Sequence, residues 1–169
     1  MALYSLVTYL KYRWKAKGRH GIHSPFVYDL IEQVLLNKGL INKAYIVDYP
    51  SLALQYENLI SRIAAHYKYR EMLHLPPGNE AIIKPHADML LLNEAHPLQW
   101  LSLMNKYFYL IENDSAVLAV DIHKTPEHTK GWLQLCTAPN VRMSIDLYGV
   151  GVLFFKKEFK EKQHFILKY

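Results

Sequence analysis

An aspartate and a histidine close an otherwise apolar run. In Ala116–Val120 followed by Asp121-Ile122-His123, a carboxylate and an imidazole stand two residues apart. If the run is a strand of an open α/β sheet, its carboxyl end is where ligands bind, and such a pair could move a proton there. One aspartate does not make a magnesium site, which needs two or three oxygen ligands from the protein. The chain has 9 His, but no pair has the tight helical spacing of H-E-x-x-H, so no zinc site is expected. His20 and His23 are read as fixing the loop before Ser24. The single cysteine, Cys136, cannot form an intramolecular disulfide. That usage points to a reducing, cytoplasmic compartment, and Cys136 itself is expected to be inert.

A second group of chemical interest is cationic. Lys11, Arg13, Lys15, Lys17 and Arg19 fall within residues 1–28, which hold no acid, so the whole net charge of +5 sits in that stretch. It could attract phosphates or anionic lipid; the simpler reading is a solvated helix face. Tyr4, Tyr9 and Tyr12 lie among these cations and could stack on bases, but helical spacing favours core or interface positions, and no RNA-binding signature is present. Nucleic-acid binding is therefore expected to be weak. The apolar residues from Met1 to Leu10 are far fewer than the ~20 that span a bilayer. They also lack the order of a signal peptide.

The elements that must position these groups follow from periodicity. With 169 residues, 51% hydrophobic and 21% charged, one globular domain with a full core is expected, and disorder, collagen and coiled coil are excluded. Leu3, Leu6, Val7 and Leu10 recur at helical spacing, ended by Gly18 and Gly21. Ser24 is an N-cap and Pro25 a first helical residue for a helix running to about Lys38-Gly39. A third helix is expected from about Ser51 to Tyr67, with Leu52, Leu59, Ile60, Ile63 and Ala64 inward and Arg62 and Lys68 outward. Met72–Leu75, Met89–Leu92 and Ala116–Val120 are continuous apolar runs, the pattern of buried parallel strands. Pro97–Leu110 and Pro126–Leu135 are helical in spacing, so strand and helix alternate as in a parallel sheet. Val141–Tyr148 and Val150–Lys157 flank Gly149 as an antiparallel hairpin, and Phe165–Tyr169 is a candidate final strand.

Three segments carry a family resemblance. Lys17-Gly18-Arg19-His20-Gly21-Ile22-His23-Ser24-Pro25-Phe26-Val27-Tyr28 resembles the N-terminal signature of a bacterial branch of class I S-adenosylmethionine-dependent methyltransferases. Val117–His123 resembles that branch's fifth-strand motif, and Ile145–Phe155 its terminal hairpin, with His164–Tyr169 closing the match. The resemblance implies a Rossmann-like α/β fold, a mostly parallel sheet with a C-terminal antiparallel hairpin and N-terminal helices. The expected organisation is a single domain, with residues 1–69 helical and residues 70–169 a truncated methyltransferase-like core.

The middle of the chain departs from that pattern. The family's first strand ends in an acid and a glycine-rich turn, because the backbone must pass close to the cofactor. Here the turn is Pro76-Pro77-Gly78-Asn79, preceded by His74 in place of the acid. Proline fixes φ and removes an N–H, both harmful to a cofactor-cradling turn. About ten residues separate Leu75 from Met89, whereas a βα crossover with its next strand needs about 30. The second and third strands are thus expected to be missing, and with them the ribose-binding acid. Asn93 replaces an acid in the fourth strand, and Val120 the first of two acids in the fifth.

The resulting expectation is a methyltransferase-like protein without S-adenosylmethionine binding, acting as an interaction or regulatory protein, with an unknown protein partner or by self-association. Asp121, His123 and His23 are then remnants of catalysis, and no metal or cofactor is expected. The alternatives are an active S-adenosylmethionine-dependent enzyme with a pocket rebuilt around Pro76–Asn79, Asp121 and His123, and a nucleic-acid binder using Lys11–Arg19. Met72–Leu75 would become an edge strand, to be covered by the Ala44–Tyr49 segment of the same chain or by the same edge of a second copy.

Overall fold

A computed structural model describes residues 2–37, 39, 52–75, 85–93 and 96–169. The elements are α1 (Ala2–Lys15), α2 (Pro25–Leu30, continued by a π-turn over Ile31–Leu35), α3 (Leu54–Tyr67), β1 (Met72–Leu75), β2 (Ala87–Leu92), α4 (Trp100–Lys106), β3 (Ile111–Val120), α5 (Pro126–Thr137), β4 (Met143–Asp146), β5 (Val150–Phe154) and β6 (Gln163–Ile166). The six strands form one mixed sheet in the order β1-β2-β3-β5-β4-β6. β1, β2 and β3 are parallel. β5 runs antiparallel to both β3 and β4 and lies between them, and β6 is parallel to β4. The fold is therefore α/β, with helices on both faces of a six-stranded mixed sheet.

The continuous apolar strands follow from burial on both faces. Met89, Leu91, Leu118, Val152 and Phe154 face Val27, Leu30, Leu59, Ile60 and Ile63 of α2 and α3. Leu90, Leu92, Val117 and Leu153 face Trp100, Met104, Trp132 and Leu135 of α4 and α5. Helices on both sides leave no solvated face on which polar residues could alternate. Gly151 belongs to this packing, since a Cβ there would stand 2.5 Å from Cζ3 of Trp132. Ser24 caps α2 by accepting from the Val27 N–H at 3.5 Å, with Pro25 in the first turn.

Several expectations are corrected. On α1, Leu3, Leu6, Val7 and Leu10 are exposed, and Tyr12 and Ala16 are buried. Tyr12 Oη donates to the Leu167 carbonyl, and beyond α1 Lys17 bridges to Leu167, so this segment is tied to the end of the sheet. Arg62, expected outward, is 3% exposed. Its guanidinium donates to the Val34 carbonyl at 2.8 Å, the Asn58 carbonyl at 3.2 Å and Tyr169 Oη at 2.7 Å. The carbonyls that end the α2 π-turn carry the negative end of a helix, which is what a buried cation requires.

Pro97–Leu110 is not one helix, because short 3-10 turns flank α4. β3 begins five residues earlier than its apolar run, and β4 and β5 are shorter than the two runs of the hairpin. His23 is exposed and makes no side-chain hydrogen bond among the described residues; the backbone bonds Gly21 N to Gly18 O and Ile22 N to Arg19 O hold that loop. β1 pairs with β2 alone among the described residues. The Pro76–Asn79 turn and the Ala44–Tyr49 segment lie outside the described residues.

Candidate functional site

Asp121 and Asp146 end β3 and β4, and both point to the carboxyl end of the sheet, where the β4–β5 turn folds over them. Met143 and Ile145 face α2 and α3, so the alternation of a strand turns Ser144 and Asp146 towards α5. Asp146, 4% exposed, accepts the Tyr148 N–H on Oδ1 at 2.8 Å and meets His123 Nε2 with Oδ2 at 2.7 Å. A carboxylate only accepts, so Nε2 carries a proton. Nδ1 is hydrogen-bonded to Thr129 Oγ1 of α5 at 3.1 Å, and Thr129 Oγ1 accepts from Tyr4 Oη at 2.7 Å. A chain of hydrogen bonds thus runs from α1 through α5 and His123 to the buried carboxylate.

Asp121 is engaged separately. Tyr56 Oη donates to its Oδ1 at 3.1 Å and Lys124 Nζ to its Oδ2 at 2.8 Å. Its φ of 59° is a conformation that aspartate tolerates better than most residues, and its N–H is held by the Gly149 carbonyl at 2.6 Å. Asp121 and His123, neighbours in sequence, therefore serve different partners. His23 joins neither network and lies in a separate pocket of about 570 Å³ with Ser24, Tyr28 and Glu32.

The turn over the site is strained. Tyr148 has φ 67° and centres a three-residue turn closed by Gly149 N to Leu147 O at 2.9 Å, the unfavourable hand of the γ-turn. In a two-residue hairpin loop this first position ordinarily carries glycine. Here glycine stands at the second position for a different reason, since a Cβ on Gly149 would lie 2.5 Å from Cε1 of Tyr56. Tyr148 is held by Asp146 at its N–H, by the Ser5 carbonyl at its hydroxyl (2.8 Å), and by the rings of Tyr9, Tyr12 and His123 at 5.1, 5.2 and 5.4 Å.

Beside this turn lies a cleft of about 610 Å³ walled by Tyr9, Tyr12, Tyr56, Tyr148 and Tyr169, with Arg13 and Lys168 at its rim. Burial, then the neighbouring carboxylates, push Tyr12 and Tyr56 up to about 12, so both present protonated hydroxyls at neutral pH. Burial pushes the Cys136 thiol up to about 12 and leaves it a poor nucleophile.

All four oxygens of Asp121 and Asp146 are engaged by protein groups. Asp146 is buried, whereas Asp121 is part-exposed beside the exposed Lys124. Among the described residues no group of three or more His, Cys, Asp or Glu could hold a metal ion.

Sequence reasoning singled out Asp121 and His123 but not their partners Tyr4, Tyr56, Thr129 and Asp146. The available signal was Asp146 itself, an acid set between Ile145 and Leu147 in an apolar strand, since a buried carboxylate demands donors. Comparison of the chain with models of known protein families, with curated proteins and with solved structures gave no match.

Proposed function

We propose that this chain is a methyltransferase-like protein that does not bind S-adenosylmethionine and works as an interaction or regulatory protein. One observation carries the reading: at the ends of β3 and β4 His123 is bonded to Asp146 and Thr129, Asp146 also to the Tyr148 N–H, Thr129 also to Tyr4, and Asp121 separately to Tyr56 and Lys124. These two networks pin α1, α3 and α5 to the sheet and give the two acids and the imidazole structural partners. The parallel trio β1, β2 and β3 followed by the antiparallel pair β4–β5 agrees with the reduced sheet that the sequence resemblance implies. β1, at one end of the described sheet, agrees with the loss of two strands beyond it.

Titration calorimetry with S-adenosylmethionine and S-adenosylhomocysteine tests the proposal. No binding is expected at millimolar ligand, because too few fixed polar groups face an incoming adenosine. A micromolar dissociation constant for either compound would overturn it in favour of an enzyme with a rebuilt pocket.

A further inference from the structure

We infer that α1 is an interfacial anchor: its outer face, Leu3, Leu6, Val7, Leu10 and Trp14, inserts into the headgroup region of an anionic lipid surface. The inference stands on α1 alone and is independent of whether the site at β3 and β4 binds a cofactor. A helix advances about 100° per residue, so these five side chains fall within about 100° of arc. They are the exposed side: Trp14 is 87% exposed, Leu3 74% and Leu10 60%. Tyr12 and Ala16, which pack on the body, lie roughly opposite, about 160° around the helix. A planar surface could therefore receive the stripe with the sheet and its other helices standing clear of it.

Charge complementarity decides what covers the stripe. Arg13 flanks it on one side and Lys11 and Lys15 on the other, with Lys17 and Arg19 following; residues 1–28 contain no acid. Among the described residues no carboxylate pairs with Lys11, Arg13, Lys15 or Lys17, and Arg19 reaches only Glu32 at 3.4 Å. A tryptophan and leucines on one side with cations along the rim are the composition of helices that lie in a membrane interface. A protein partner or second copy would bury the leucines equally well, but would need its own acids to answer this rim. At 14 residues α1 is about 21 Å long, and no described helix is long and apolar enough to cross a membrane. The helix lies along the surface and does not span it.

The structure also supplies the reporter. Of the three tryptophans, Trp100 and Trp132 are buried at 1% and 0%, so an aqueous quencher reads Trp14. The full chain is mixed with vesicles of phosphatidylcholine alone and of equal parts phosphatidylcholine and phosphatidylserine, and co-sedimentation and acrylamide quenching are measured. Sedimentation with the anionic vesicles, loss of quenching, and weakening with added salt are expected. Leu10→Gln with Trp14→Ala should reduce partitioning about tenfold or more. Lys11→Glu with Lys15→Glu should abolish the preference for phosphatidylserine while leaving the apolar stripe intact. These positions are exposed, so both variants should keep the unfolding transition of the parent. The proposal is overturned by no binding to the anionic vesicles, by equal binding to both vesicles, or by protection of Trp14 in a lipid-free dimer, which would assign the stripe to a second copy.

Discussion

Removing the Asp146 carboxylate tests whether the polar cluster at the strand ends is a structural pin. Asp146→Ala deletes the acceptor of the Tyr148 N–H and the partner of His123 Nε2. Each is a hydrogen bond to a charged group, worth about 1.5–3 kcal/mol. Tyr148 at φ 67° also loses one of the contacts that hold a conformation costing about 1–3 kcal/mol. Against these stands the desolvation cost of the buried carboxylate, which the variant no longer bears. The net expectation is a loss of about 3 kcal/mol, or roughly 6–12 °C in Tm for a chain of this size. Asp146→Asn should cost only about 1 kcal/mol, because the imidazole can change tautomer. Its Nδ1 then donates to Thr129 while Nε2 accepts from the new amide. Urea unfolding followed by circular dichroism, with the His123→Ala and double variants, gives the stabilities and the coupling between the two residues. A loss below about 0.5 kcal/mol for Asp146→Ala, or an Asn variant as unstable as the Ala variant, would refute the reasoning.

The pH dependence has a defined shape. Tyr12 and Tyr56 sit at about 12 against an ordinary 10.0, so their contribution is complete below pH 10 and is lost as the pH rises through 12. Burial lowers His128 and His164 below their ordinary 6.5; their contribution is present above that value and is lost as the pH falls below it. The urea midpoint should therefore plateau between these limbs, and His164→Gln should flatten the acid limb; an unchanged acid limb would contradict the assignment. Gly151→Ala brings a Cβ within 2.5 Å of Trp132 and should cost about 1–3 kcal/mol with a changed near-ultraviolet dichroism of the indole, whereas a neutral result would mean that the ring yields freely. Arg62→Lys should lose about 2 kcal/mol in the same unfolding assay, since an ammonium cannot serve Asn58, Val34 and Tyr169 together.

Much of the fold was legible because burial on both faces writes a simple pattern. Leu90–Leu92 and Val117–Ala119 are apolar at every position, and the Ser24-Pro25 cap is local chemistry. The first half of β3 was not legible. Glu112, Asn113 and Asp114 are polar, and the pairing jumps from Ala87↔Ile111 to Met89↔Ala116, with Ser115 Oγ donating to the Ala87 carbonyl at 2.7 Å. Periodicity located α1 but not which side it turns inward, because that side is built from tyrosine rings whose hydroxyls need distant acceptors. Arg62 was misplaced for the same reason: its acceptors are the carbonyls of α2 and the hydroxyl of Tyr169, neither visible from the spacing of α3. At the candidate site Asp121 and His123 could be read from a strand's end. Asp146 could not be joined to His123, because the insertion of β5 between β3 and β4 is a property of the sheet order alone.

The tie between Tyr12 and Leu167 spans 155 positions of the chain. At a synthesis rate of about 5–20 residues per second, α1 leaves the ribosome on the order of ten seconds before the strand end that receives it. Through that interval the helix has no docking face, so its inward tyrosines and its outward leucines are equally open to whatever surface the nascent chain meets. The helix α1 is made early relative to the strand that seats it, and an encounter with a lipid headgroup layer can begin before the sheet behind it exists.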